Sequence, residues 1–326
     1  MASLYVDRRG VEMRLDGGAI VFYEKAERVG TVPIAPIERV FLRGDVLLHA
    51  SVLGRLGEHG IGVIVLSGRR ADPTLMLPRA HNDAERRVSQ YRLSQDAGFC
   101  LEFARQLVGA KLAGSEMLLE ELREKNRRAW YAIGKVKEQL GQLAKHIHMQ
   151  PGLAALRGLE GRAAASYFSA LAAYMPDSLG FTGRNRRPPR DPLNALLSLG
   201  YTMLHSETVV ELHGAGLDPQ IGFYHGLHFG RASLASDLIE PLRPLVDRFS
   251  IGLFSEGHLR RESFSITEQG CLLGKAGRVA YYQLYEAAAE DFRRRIRESI
   301  ADLLGLMKEK TGKIDVVARD LSDEEF

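Results

Sequence analysis

Apolar and polar side chains alternate between residues 11 and 24. Val11, Met13 and Leu15 are separated by Glu12, Arg14 and Asp16, the period-2 signature of a half-buried strand. Asp16-Gly17-Gly18 supplies a turn and AIVFYE resumes a strand, so 11–24 reads as a hairpin. VGTVPI, ERVFLRG and IGVIVLSG, rich in Val and Ile, are further predicted strands. ASVLGRLGEHG, between the last two, has helical spacing and ends at Gly60, a helix stop. Pro33 and Pro36 favour edges and turns.

The period then changes. Leu101, Ala104, Val108 and Leu112 recur at steps of three and four, one face of a helix over 101–127. A second long helix is expected around 130–147. Asp191-Pro192 offers an N-cap and an N1 proline for a helix through Leu193, Leu196, Leu197, Met203 and Leu204. Residues 280–309 form a last amphipathic helix with Phe292, Ile296, Ile300, Leu303 and Met307 inward. The tail, DVVARDLSDEEF, sets five acids against one Arg and is expected to fray. The pattern predicts an α+β chain: a small β-rich domain over residues 1–82, a linker near 70–88, and a large all-helical domain over 88–326.

Length supports that division, since 326 residues suffice for two domains of roughly 150 each. With 45% hydrophobic and 26% charged residues, the chain is neither disordered, nor collagen-like, nor a small disulfide scaffold. Lys plus Arg is 44 against 41 acids, a formal charge of +3, which excludes a purely electrostatic nucleic-acid binder. A balanced total still permits a local basic patch. Cys100 and Cys271 form no CxxC, consistent with a reducing compartment. No signal-peptide core is visible, and the apolar runs fall far short of the roughly 18 residues that span a bilayer. A soluble, cytoplasmic protein is the expectation.

Three segments carry candidate chemistry. GLDPQIGFYHGLHFGRASLASDLIEPLRP, residues 216–244, holds His225 and His228 in a glycine-rich stretch, followed by Asp237 and Glu240. Three residues apart on a helix, those carboxylates share a face. A histidine beside an acidic helix face suits a divalent cation such as Mn or Mg, and also Zn. The plainer reading makes Asp237 a cap or surface acid and His225 a hydrogen-bonded loop residue. In LRGLEGRAAASYFSAL, Glu160 falls where a helix is expected to begin, a position that favours a carboxylate in any protein. Tyr167 and Phe168, further along, read as core or wall residues. In GRNRRPPRDPLNALL, Arg184, Arg186, Arg187 and Arg190 lie within seven residues, and two prolines keep the segment extended. Such a cluster suits phosphate contacts, against the alternative of a solvated loop. FRRRIRES at 292–299 reads as a solvated helix face, and His146 and His148 receive no role. The absence of GxGxxG, Walker, GxSxG and HExxH motifs in fitting contexts argues against the commonest nucleotide-binding and hydrolase classes.

Taken in order, these segments resemble the CRISPR-associated protein one family, the endonuclease that inserts new spacers during adaptation. VPIAPIERVFLRGDVLLHASVLGRLGEHGIGVIVLSGRR is similar to the family's N-terminal domain, and RRVSQYRL with LEFARQLVGAKL to the first helices of its C-terminal domain. LEGRAAASYF, NRRPPRDPLNALLSLGY, GLDPQIGFYHG and SLASDLIEPLRP are similar to its most specific motifs. The resemblance implies a metal triad at Glu160, His225 and Glu240, which some members fill with Asp at the third place, and a supporting acid at Asp237. It assigns no ligand role to His228. It implies Mn2+ or Mg2+ as cofactor, and phosphoryl transfer on DNA with a 3′-OH or water as nucleophile. Arg184, Arg186, Arg187 and Arg190 would then hold the backbone, Tyr167 would stack near a strand end, and Lys275 and Arg278 are further candidates for phosphate contact. It also implies a homodimer through the β domain, and a partner in CRISPR-associated protein two. The segment KLAGSE, residues 111–116, departs from the family, which often has an Asn-Gln pair after the basic residue. Two rival classes are a non-catalytic DNA-binding scaffold and a metallohydrolase of small phosphoesters.

Overall fold

The computed structural model describes residues 2–66, 73–78, 83–186, 188–226 and 231–312. Part of the expected linker, the acidic tail, Arg187 and His228 lie outside the described residues.

The N-terminal part is built from β1 (Ala2–Asp7), β2 (Val11–Asp16), β3 (Ala19–Glu24), β4 (Glu27–Pro33), β5 (Ile37–Arg43), β6 (Val46–Leu48), α1 (Ala50–Glu58), β7 (Gly62–Val65) and β8 (Thr74–Met76). They form two four-stranded sheets, ordered β4-β3-β2-β6 and β1-β5-β7-β8. The predicted hairpin is β2–β3, with Met13 opposite Phe22. The pattern alone misses β1, β6 and β8. Two of these owe their place to parallel partners far along the chain, β1 beside β5 and β6 beside β2, while β8 pairs antiparallel with β7. Met13, Ile20, Ile34, Val40, Leu42, Val52 and Val63 fill one core of this part. Phe41 and Ile64, the alternate residues of β5 and β7, belong instead to the core of the helical part. The second sheet is therefore buried on both faces, as period 2 requires of a central layer.

The C-terminal part contains α2 (Ala84–Ser94), α3 (Ala97–Lys125), α4 (Trp130–Lys145), α5 (Leu153–Tyr174), α6 (Pro192–Gly214), α7 (Ser233–Ile239), α8 (Arg243–Ser255), β9 (Phe264–Thr267), β10 (Gly270–Leu273) and α9 (Lys275–Thr311). The helices expected from the apolar stripe are α3, α4, α6 and α9. Asp191 caps α6 as expected, its carboxylate accepting from Asn194 N at 2.8 Å. α2 escapes the pattern because its sequence, AERRVSQYRLS, has almost no apolar stripe. Its Gln90 is fully buried and bonds the carbonyls of Asp218 and Ile221 at 2.8 and 2.7 Å. α5 begins at Leu153, with Gly152 as N-cap, so Glu160 lies in its third turn and not at a helix start. The part is mostly helical but not entirely so, since β9 and β10 form an antiparallel hairpin. Among the described residues, no helix is long and apolar enough to cross a membrane.

The two parts meet through stacked rings and a charge network. Tyr5 stacks between Phe41 and Tyr282, each with a centroid separation of 4.9 Å. Arg293 binds Glu207 at 2.6 Å, Glu286 at 2.8 Å and Ser3 Oγ at 2.8 Å. Arg39, from β5, pairs with Glu207 and Glu211 of α6. Arg293 is 3% exposed, so one arginine of the expected solvated face is a buried joint.

Candidate nucleic-acid-processing site

Three elements converge on one point. α3 carries Lys111 and α5 carries Glu160. The end of α7, where Pro241 turns the chain into α8, carries Glu240 and then Arg243. The Lys111 ammonium bridges the two carboxylates, contacting Glu160 Oε1 and lying 2.6 Å from Glu240 Oε2. The remaining oxygens also have partners. Tyr224 OH donates to Glu160 Oε2 at 2.6 Å, and Arg243 Nε lies 2.9 Å from Glu240 Oε1, an ion pair out of line for a hydrogen bond. Burial of Glu240 pushes its carboxyl up, but the charges of Arg243 and Lys111 outweigh this and hold it at about 2.

His225 reaches this point from the loop before α7, and Asp237 fixes it there. Asp237 is 0% exposed. Its Oδ2 accepts from Phe223 N at 2.7 Å and Tyr224 N at 3.0 Å. Its Oδ1 takes the amide of His225 at 2.9 Å and contacts the ring Nδ1 at 2.7 Å. One buried carboxylate thus winds residues 223–225 around itself, which a surface acid or helix cap would not do. Gly222 makes the approach possible, because a Cβ there would lie 2.7 Å from Asp237 Oδ2 and 2.8 Å from the Ser233 carbonyl carbon. With Nδ1–H committed to Asp237, the imidazole presents Nε2, 3.9 Å from Glu240 Oε1.

The expected ligands Glu160, His225 and Glu240 are therefore brought together, and Asp237 stands behind them. Their donors are chemically suited to a hard divalent cation: two carboxylates, plus an imidazole whose lone pair is set by a carboxylate partner. As the side chains stand, no group of three or more His, Cys, Asp or Glu among the described residues closes around a common ion position. Lys111 occupies the space between the carboxylates instead.

Beside this point opens a cavity of about 180 Å³, lined by Lys111, Arg157, Arg184, Arg186 and Arg243 together with Glu160 and Asp247. Five cations against two carboxylates make the cleft basic and suited to phosphate. The arginine loop beside it is built, not loose. Asn185 N and Arg184 both donate to Asn194 Oδ1, Arg190 N donates to Asn185 Oδ1 at 2.9 Å, and Cys271 N of β10 bonds Pro189 O at 2.7 Å.

The four expected arginine contacts separate on this scaffold. Arg186 and Arg190 are exposed, and Arg187 lies outside the described residues. Arg184 turns inward, bonding Asn194 at 2.8 Å and Ser198 at 3.1 Å beneath Tyr201, so it braces the loop rather than reaching outward. Arg278 is likewise committed, to Asp7 at 2.6 Å, and ties α9 to β1. Lys275 is exposed at the first position of α9. Tyr167 is not placed to stack on a strand end: it is 5% exposed and its hydroxyl donates to Asp247 at 2.8 Å. Tyr201 donates to the same carboxylate. Burial raises Asp247 to about 6, against the lowering effect of the two tyrosine hydrogen bonds.

Sequence reasoning gave no role to Lys111, Tyr224, Arg157 or Arg243. Lys111 had a signal. It interrupts the inward stripe of α3, between Val108 and Leu112, where a lysine belongs only if paired. Arg243 follows Glu240 by three residues. Tyr224 and Arg157 had no signal, because Arg157 reaches the Tyr224 carbonyl only through the fold.

Comparison with solved structures defines the class first. The chain aligns along its whole length with a CAS1 protein from Thermotoga maritima, at TM-score 0.83 and 21% identity, covering 100% of both chains. It aligns equally with a casposase bound to integration product, at TM-score 0.83 and 21% identity, covering 100% of this chain and 96% of the other. These likenesses establish the fold. Sequence comparison goes further. The family described as CRISPR associated protein Cas1 matches residues 4–287. CRISPR-associated endonuclease Cas1 1 of Thermodesulfovibrio yellowstonii is 40% identical over 289 residues, 88% of this chain and 91% of that one. A second relative, CRISPR-associated endonuclease Cas1 1 of Thermus thermophilus, is 32% identical over 98% of this chain and 94% of its own. The chain belongs to the Cas1 family.

Proposed function

We propose that this chain is a divalent-metal-dependent DNA endonuclease and integrase, joining the 3′-OH ends of short DNA fragments into a CRISPR repeat array during spacer acquisition. The observation that carries this reading is the convergence of Glu160, Glu240 and His225 Nε2 beside a basic cleft. Similarity to relatives called endonucleases, and to a casposase bound to integration product, supports it.

Glu160, His225 and Glu240 would hold Mn2+ or Mg2+. Such an ion, when bound, polarises a phosphodiester and lowers the pKa of an attacking hydroxyl. The chain's own residues do the rest. Asp237 keeps the His225 proton on Nδ1, so that Nε2 keeps its lone pair for a metal ion. Arg243 orients Glu240, and Tyr224 orients Glu160. Arg186, Arg190 and Lys275, all exposed, would meet backbone phosphates, and the bound DNA decides whether water or a 3′-OH attacks. Similarity to a complex of Cas6-RT-Cas1 with Cas2, at TM-score 0.78, supports Cas2 as a partner. We extend the same reading to a homodimer through the β-rich part, for which light scattering should give twice the chain mass.

The test is a strand-transfer assay with labelled DNA carrying a free 3′-OH, run with Mn2+, Mg2+ and EDTA. Joining and cutting should both require the metal, and blocking the 3′ end should abolish joining while cutting persists. Joining that survives EDTA would sink the mechanism.

A further inference from the structure

We propose that Lys111 is a built-in stand-in for the metal: its ammonium holds Glu160 and Glu240 together in the metal-free protein and competes with the divalent ion for them. The inference rests on the metal reading of this site and concerns how that site is regulated.

Three observations carry it. First, one ammonium, that of Lys111, takes an oxygen of each carboxylate, Glu160 Oε1 and Glu240 Oε2, the latter at 2.6 Å, so these are the inner oxygens of the pair. The outer oxygens are already held, by Tyr224 and Arg243. An ion bound between the two glutamates must therefore displace this ammonium, because no other cation shares those inner oxygens among the described residues. Second, the pair needs a cation. The side chains of Glu240 and Glu160 are only 5% and 17% exposed, and two carboxylates this close repel strongly where water screens poorly. Third, the ammonium has somewhere to go. Lys111 also lines the cavity of about 180 Å³ beside the carboxylates, so a rotation of its flexible stem carries the charge into the space assigned to phosphate. The metal-free site thus stays assembled, at the cost of a weaker affinity for metal.

Isothermal calorimetry with MnCl2 on the full-length, DNA-free chain tests this. Lys111→Met removes the charge and keeps the length of the side chain. It should bind Mn2+ at least about tenfold more tightly than the unaltered protein, a difference of about 1.4 kcal/mol. Lys111→Arg, which keeps a cation, should show no such gain. A second measurement needs no variant. Amine acylation read by mass spectrometry should increase at Lys111 when Mn2+ is added, because the ammonium leaves the carboxylates. Binding by the unaltered protein with no gain in Lys111→Met, or acylation of Lys111 unchanged by Mn2+, overturns the inference and leaves the metal site standing. Mn2+ binding by neither protein overturns the metal reading and the inference with it.

Discussion

Among the described residues, the two clusters of buried charge at the joint and at the cleft are built differently. At the joint between the β-rich and helical parts, Arg39 and Arg293 are closed off by Glu207, Glu211 and Glu286, with Ser3 and Tyr5 taking further bonds. Both arginines there are nearly fully buried, at 3% exposure. At the cleft, Lys111, Arg157, Arg184, Arg186 and Arg243 outnumber the acids and line open space. A closed network fixes geometry; an open one, with cations in excess, leaves room for an anionic ligand. Burial alone does not separate the two, since Glu240 and Glu207 are both under 5% exposed. What separates them is that the cleft charges line a cavity and include cations in excess of acids.

That contrast can be broken from either side. The largest effect is expected at the joint. Arg293→Met leaves Glu207 and Glu286 without their main partner, and removing one member of a buried pair costs about 3–5 kcal/mol. Urea unfolding should show it as a lower midpoint, while the metal affinity of whatever remains folded stays unchanged. Next comes the cleft. Glu160→Gln should lower strand transfer by at least about a hundredfold, the scale of losing one group that stabilises developing charge. Its unfolding midpoint should move far less than that of Arg293→Met. Equal destabilisation by both would mean the cleft is structural too.

Acid should then separate Glu286 of the joint from Asp247 of the cleft by sign. Burial pushes Glu286 up, but hydrogen bonding and charge from Arg293 outweigh it and hold the carboxyl at about 2, below its ordinary 4.5. Its contribution to stability is complete above about 4.5 and is lost as pH falls toward about 2. Asp247 at the cleft runs the other way. Raised by burial to about 6 from 3.8, it favours the folded state most below 3.8, and this contribution is lost as pH rises through about 6. Unfolding midpoints measured from pH 8 to pH 3 should therefore climb near pH 6 and fall again below about 4.5. Asp247→Asn should flatten the first change, and Glu286→Gln should reduce the second, to which Glu240, also held at about 2, contributes.

The smallest effect belongs to the exposed arginines. Arg186→Ala and Arg190→Ala should each flatten the plot of log affinity against log salt by about one unit for duplex DNA, where each side chain meets one phosphate. Arg184→Ala should act mainly through the loop it braces, lowering stability more than the salt slope. A full unit of slope lost with Arg184 would show that its inward bonds open when DNA binds.

Much of this was legible along the chain. The β2–β3 hairpin, α3, α6 and α9 follow from local period and caps, because each buries a regular face. His225, Asp237 and Glu240 stand out by residue type and spacing as a candidate cation site, and resemblance to a known family adds Glu160 and the roles of all four. β1 and β6 escape the pattern because their partners are distant in sequence, and α2, whose buried face is polar, is legible only through the family resemblance of RRVSQYRL. Tyr167, Arg184 and Arg278 receive DNA roles from residue type once the resemblance supplies a DNA substrate. Type cannot show that Asp247, Asn194 and Asp7 already hold them.

By itself, the sequence determined the change from period 2 to period 3.6, the helix ends at capping residues such as Asp191, and the identity of the acids and histidine. These are local properties, set by side-chain chemistry and by neighbours within a few residues. Only the tertiary structure decided that Lys111 stands between Glu160 and Glu240, that Asp237 sets the face of His225, and that Arg293 joins two parts of the molecule. Each of those depends on groups from different elements arriving at one point. The physical reason is that a charge takes its role from the partners and the water around it, and those are assembled only when the chain is folded.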